Sequence, residues 1–217
     1  MKGLLKNNYY AALANAKVMA VIMILLGALG IALKNQGLLI AFTLLCMIGF
    51  SFISIASIRR EGGSKWGKYK LTTPVKRGDI VWSYFLSLLL WLALGMLMAG
   101  MGITLSLMFR GFLFDKNTDI FNLYIMGIGI SLFMGAVFFL LFYRWGGQEQ
   151  SEAFLAVSLI GGGGIMLGIS MLVNTFFPTP VTTLQTVIIG MMILAIAGLM
   201  FGMSCILSVY FYGRHDY

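Results

Sequence analysis

Residues 37–58 read GLLIAFTLLCMIGFSFISIASI, an apolar run from Gly37 to Ile58 with no Asp, Glu, Lys or Arg. A helix rises ~1.5 Å per residue, so about twenty such residues cross a hydrocarbon core ~30 Å thick. The run lacks the strict apolar and polar alternation of a barrel strand. It reads as a membrane-spanning helix, and the rest of the chain follows the same pattern.

Working outward, five further runs occur: Val18 to Leu33, Ile80 to Phe109, Ile120 to Tyr143, Ala153 to Val173 and Leu184 to Gly213. Only Lys34, Asn35 and Gln36 separate the first two runs, which predicts a tight hairpin. The third and sixth are ~30 residues long, or ~45 Å as helix, and must tilt or project beyond the bilayer core. The chain is 60% hydrophobic and 10% charged, against roughly 25% charged in soluble domains. The expected fold is an all-α polytopic membrane protein with six transmembrane helices, in a single domain over residues 1–217. Lys2 and Lys6 precede the first run as they would in a secretion signal. A signal's apolar region is only ~7–15 residues, however, and starts nearer the terminus.

Basic residues set the expected orientation, because Lys and Arg in short flanks stay inside. With the amino terminus inside, the cytoplasmic side receives Lys2, Lys6, Lys17, Arg59, Arg60, Lys65, Lys68, Lys70, Lys76, Arg77, Arg144 and Arg214. The outside receives only Lys34, Arg110 and Lys116. Both termini are thus expected in the cytoplasm. The segment from Asn174 to Thr183 is uncharged, contains Pro178 and Pro180, and reads as an outer turn or short re-entrant element. Residues 1–16 are too polar to span. Leu4, Leu5, Tyr9, Ala12 and Leu13 share one helical face with Lys2, Lys6 and Asn8 elsewhere, which predicts a helix in the cytoplasmic interface.

Several chemistries are excluded. The single histidine, His215, lies near the carboxyl end, so most membrane hydrolases lack their base or ligand here. Ser204, in Gly202-Met-Ser-Cys, is not in a nucleophile elbow and reads as a helix-packing hydroxyl. Cys46 and Cys205 each sit within an apolar run and read as small buried hydrophobes, with no disulfide or metal site indicated. No charged residue occupies the middle third of a run, where proton relays and ion sites place them. The stretch from Gly62 to Lys68 satisfies G-x-x-x-x-G-K, yet Tyr69 follows where magnesium binding needs Ser or Thr, and a spanning helix precedes it instead of a strand.

The longest polar stretch runs from Arg59 to Asp79 and carries seven basic residues against Glu61 and Asp79. Part of that charge meets anionic lipid; nucleic acid is not an expected partner. Trp66, Tyr69 and Leu71 add an apolar component that topology alone does not require. Ser64 is placed to cap a short helix from Lys65 to Leu71 that ends before Pro74, a shape suited to docking a soluble partner.

The order Glu61, Ser64, Trp66, Tyr69, Thr73-Pro74-Val75, Arg77, Asp79-Ile80-Val81 and Tyr84 resembles the loop after the second helix in small type-2 ATP-binding-cassette exporter permeases. Residues 1–6 are similar to their interfacial helix. Among these permeases, those of bacterial phenol-soluble modulin exporters look closest. The resemblance implies a coupling loop seated on a separate ATPase subunit through Arg60, Glu61, Ser64, Lys65, Trp66, Lys68 and Tyr69. ATP and magnesium would reside on that partner, with no cofactor in this chain. The resemblance also implies a homodimer in the bacterial cytoplasmic membrane and export of a hydrophobic or amphipathic cargo, with peptide as the expected class. A second, smaller contact would be the loop from Arg144 to Glu152, where Gln148-Glu-Gln-Ser-Glu152 departs from the basic residue the family tends to carry.

Small and soft residues complete the reading. Gly161, Gly162, Gly163 and Gly164, with Gly198 and Gly202, suggest close helix packing, a hinge or unwound bend, or a dimer seam. Sixteen methionines offer adaptable apolar surface to varied cargo. Two alternative functions compete: a membrane-embedded substrate-binding component of a vitamin importer, and a noncatalytic assembly or immunity protein.

Overall fold

A computed structural model describes residues 2–62, 76–111, 114, 117–145, 150–176 and 182–214. Among these the regular structure is entirely helical: α1 (Lys2–Ala32), α2 (Gln36–Gly62), α3 (Arg77–Arg110), α4 (Asn117–Trp145), α5 (Ser151–Phe176) and α6 (Thr183–Arg214). Each contains a window long and apolar enough to cross a membrane. The expected six spans are all present, each within a few residues of its anticipated ends.

The amino-terminal segment differs in two respects. Residues 2–16 are helical as expected, but they run without a break into the first span as one 31-residue helix. Asn8 was expected on the polar face, yet it is buried at 1% exposure, while Tyr9 is 39% exposed. Sequence periodicity separates polar from apolar residues; here a polar side chain turns inward because another helix offers it a hydroxyl.

The α1–α2 hairpin closes through three residues, Leu33, Lys34 and Asn35. Lys34 adopts φ 51°, and the N–H groups of Lys34 and Asn35 donate to the carbonyls of Ile31 and Gly30, which satisfies the last turn of α1 in the Schellman pattern. The Asn35 side chain then accepts a 3.2 Å bond from the Leu38 N–H and caps α2. At α6, Thr182 and Gln185 bond reciprocally, with Thr182 N–H donating to Gln185 Oε1 at 3.0 Å. Since α5 continues through Phe176 and α6 begins at Thr183, the segment between them is shorter than anticipated; Pro178 and Pro180 lie outside the described residues.

Helices α2 and α4 form the centre: 61% of each spanning window is buried, against 17% for α5 and α6. Close approach depends on two glycines. A methyl at Gly95 of α3 would lie 2.6 Å from the Cys46 carbonyl of α2, and one at Gly162 of α5 would lie 2.9 Å from the Met134 nitrogen of α4. Single hydroxyl bonds tie α4 to three of its neighbours: Ser131 Oγ donates to the Met47 carbonyl of α2 at 3.3 Å, Tyr124 OH to the Met96 carbonyl of α3 at 3.2 Å, and Ser204 Oγ of α6 to the Ala136 carbonyl of α4 at 2.7 Å. Such bonds in a bilayer contribute ~0.6 kcal/mol each on average. Cys46 and Cys205 are buried free thiols, as read from the sequence.

Candidate functional site

The end of the bundle that carries the amino terminus, the start of α3 and the end of α4 is the basic end, and both long polar connections leave from it. Helix α2 continues to Gly62, which places Arg60 and Glu61 in its last turns. Ser64, Lys65, Trp66, Lys68 and Tyr69, with the short helix expected around them, lie outside the described residues. On the far side of the loop, Lys76 is extended at φ −64° and ψ 139° and leads into α3 without a side-chain cap. The Asp79 N–H donates to the Lys76 carbonyl at 2.9 Å, and the Asp79 carboxylate stands in the first turn, where the helix dipole favours a negative charge.

The stem of this loop on α3 is bonded to α1, and the two stems are bonded to each other. Asn8 Nδ2 donates to Ser83 Oγ at 3.1 Å, and Ser83 Oγ donates to the Ile80 carbonyl at 2.7 Å. One turn along α3, Ser87 Oγ lies 3.3 Å from Ser54 Oγ of α2, and Ser57 Oγ donates to the Ser54 carbonyl at 2.7 Å. Outside this polar seam, Tyr9, Trp91 and Phe50 form a continuous stack across α1, α3 and α2, with centroids 5.3 and 5.9 Å apart and planes 14° and 8° from parallel. Ala12 and Ala16 are buried against Phe50, Ile53 and Trp91, and their small side chains let α1 lie close.

The second connection is anchored differently. Arg144 stands over the rings of Trp145 and Phe211, 5.5 and 6.0 Å from their centroids. Trp145 stacks on Phe154 of α5 at 6.1 Å, and the Phe154 N–H donates to the Gln150 carbonyl at 3.0 Å. Cation and aromatic faces attract through the ring quadrupole, and such rings suit the membrane interface. Residues 146–149 lie outside the described residues, so of the second anticipated contact loop the structure positions Arg144, Gln150, Ser151 and Glu152.

The expected glycine features separate. Helix α5 remains α-helical through Gly161, Gly162, Gly163 and Gly164, so the unwound bend is absent: neighbouring helical residues hold the ladder despite the weak propensity. Gly162 packs on the α4 backbone, and a methyl at Gly161 would reach Val137 at 3.9 Å. Gly163, Gly164, Gly198 and Gly202 meet nothing within 4 Å and leave bare helix surface.

Asn8, Ser83 and the Tyr9–Trp91–Phe50 stack were missed by the sequence reading. The available signal was the spacing of Ser83 and Ser87, one helical turn apart, together with serines at 51, 54 and 57 on the preceding span.

No curated protein and no solved structure matches the chain. A family model described as ABC-2 family transporter protein matches residues 3–213. This family comprises multi-pass transport subunits that are not themselves catalytic and that work with an ATP-binding-cassette ATPase subunit. With the match running nearly the whole length of a six-helix bundle, the chain belongs to the ABC-2 family of transporter proteins.

Proposed function

We propose that this permease exports a hydrophobic or amphipathic cargo, of which peptide is the best-fitting class, across the bacterial cytoplasmic membrane. ATP and magnesium act on the separate ATPase subunit, and two copies of the chain pair to form the path. The basic end faces the cytoplasm, and the loop from Arg59 to Asp79 receives the motion of the ATPase. Family membership favours this reading over a vitamin-binding component or a noncatalytic assembly or immunity protein.

The observation that carries the proposal is the fastening of both loop stems. A displacement applied between Gly62 and Lys76 reaches α2 and α3 directly, and the Asn8–Ser83 bond and the Tyr9–Trp91–Phe50 stack pass it to α1. Packed interfaces respond to such a push as rigid bodies between discrete arrangements. The cargo class rests on surface chemistry. Met191, Met192, Met200 and Met203 are exposed along α6, and soft thioether surface adapts to varied apolar partners. Resemblance of the loop to phenol-soluble modulin exporters points the same way.

The test is reconstitution of the permease with its ATPase in liposomes. Glu61→Ala and Trp66→Ala should leave the complex assembled while transport no longer follows ATP hydrolysis. Native coupling in both variants would sink the assignment of this loop.

A further inference from the structure

Asn8 is the one amide among the buried polar residues of the described chain, at 1% exposure, and only half of it is satisfied. The Ser83 hydroxyl uses its single hydrogen on the Ile80 carbonyl, so the end of the amide that faces it must be the NH₂ group. That leaves Asn8 Oδ1 buried without a hydrogen-bond partner. A half-satisfied polar group in a low-dielectric interior is less stable than an apolar side chain of similar size. Stability therefore does not account for an amide here. Register does: a buried Asn fixes one alignment of packed helices at some expense in stability.

The surroundings leave that role open. The neighbouring contacts of α1 are Ala12 and Ala16, which are smooth, and the flat Tyr9–Trp91 stack, which permits sliding. Helix α3 presents Ser83 and Ser87 one turn apart, the first to α1 and the second to Ser54 of α2. The directional bond from Asn8 pairs α1 with Ser83 and not with Ser87 one turn further on, which bonds to α2.

We propose that Asn8 is a positioning residue whose bond to Ser83 holds the amino-terminal half of α1 in register with the first turns of α3, so that α1 moves as one body with the stem of the coupling loop. The proposal rests on the reading of residues 59–79 as the coupling element. Asn8 acts through its contact with α3.

The experiment uses the reconstituted complex. Asn8→Leu keeps the branched shape of the side chain and removes the amide. It should assemble with the ATPase at native yield while transport per ATP falls roughly 2- to 30-fold, the range carried by single residues in coupling networks. Adding Ser83→Ala should cause no further loss, because both changes remove one bond. In a separate variant that keeps Asn8 and Ser83 and carries Tyr9→Cys and Trp91→Cys, positions that face each other across α1 and α3, a short bifunctional thiol reagent should bridge the pair equally fast with and without ATP. Adding Asn8→Leu to that variant should slow the bridging. Native coupling in Asn8→Leu, or bridging unchanged by Asn8→Leu, overturns the proposal. Trp66→Ala in the same liposomes separates the two ideas. Uncoupling there beside native Asn8→Leu removes the latch alone. Native coupling in Trp66→Ala removes the loop assignment, and the bridging rates then decide the register by themselves.

Discussion

Tyr143, near the end of α4, meets Tyr212, near the end of α6, edge to face, with ring centroids 5.4 Å apart and planes inclined by 70°. Three residues earlier on α6, Val209 comes close to the start of α3, where a methyl on Gly78 would sit 3.6 Å from its Cγ1. The last turns of α6 thus lie between the stem of the first basic-end loop and that of the second. Edge-to-face pairs contribute ~0.5–1.5 kcal/mol beyond burial. Tyr212→Ala should lower the thermal stability of the detergent-solubilised protein by at least that amount and weaken coupling to the ATPase, read as transport per ATP.

Gly95 and Gly198 should respond oppositely to alanine. A methyl at Gly95 would press on the Cys46 carbonyl at 2.6 Å, and overpacking of this kind costs ~1–3 kcal/mol. Gly95→Ala should therefore lower the melting temperature. Gly198→Ala and Gly202→Ala meet nothing within 4 Å of their own chain, so the gain in helix propensity, up to ~1 kcal/mol each, should raise their melting temperatures. A lower dimer fraction in those two variants, measured by native mass spectrometry or cross-linking, would identify that face as the seam between copies; an unchanged dimer fraction excludes it.

The three-residue hairpin link can be tuned at two of its positions. Asn35→Ala removes the side-chain acceptor of the Leu38 N–H, a loss of about 1 kcal/mol for an N-cap. Lys34→Gly should act in the other direction, because the left-handed backbone at φ 51° strains a residue with a Cβ by roughly 1–2 kcal/mol. Denaturation in mild detergent should rank Lys34→Gly above the parent and Asn35→Ala below it.

Ser204→Ala tests the absence of a nucleophile. Its Oγ donates to the Ala136 carbonyl at 2.7 Å, a packing bond between α6 and α4 of ~0.6 kcal/mol. Transport should remain within about threefold of the parent, in keeping with that energy. Complete loss of transport in a stably folded Ser204→Ala protein would require a chemical role for the hydroxyl.

Orientation is open to a direct measurement. Lys34→Cys should react with a membrane-impermeant thiol reagent in intact cells, and Lys76→Cys should react only after the membrane is opened. The reverse pattern would place the basic end outside and overturn the export geometry.

Hydropathy and length by themselves determined the class, the six spans and their approximate limits, because a bilayer demands about twenty apolar residues in a helix that satisfies its own backbone. The packing role of Ser204 and the burial of Cys46 and Cys205 were equally legible, since each sits in a run without a base or metal-binding neighbour. The resemblance in the loop from Glu61 to Tyr84 pointed to the transporter family before any helix was placed. Tertiary structure alone decided which polar groups meet. Nothing in a string of residues brings Asn8 to Ser83 across 75 positions, or distinguishes Gly162, pressed on α4, from Gly164, facing open space. In lipid the apolar surface of a helix looks much the same all round. The face it buries is therefore chosen by small residues that permit close approach and by the few hydroxyls that find a partner, and both depend on the neighbouring helix.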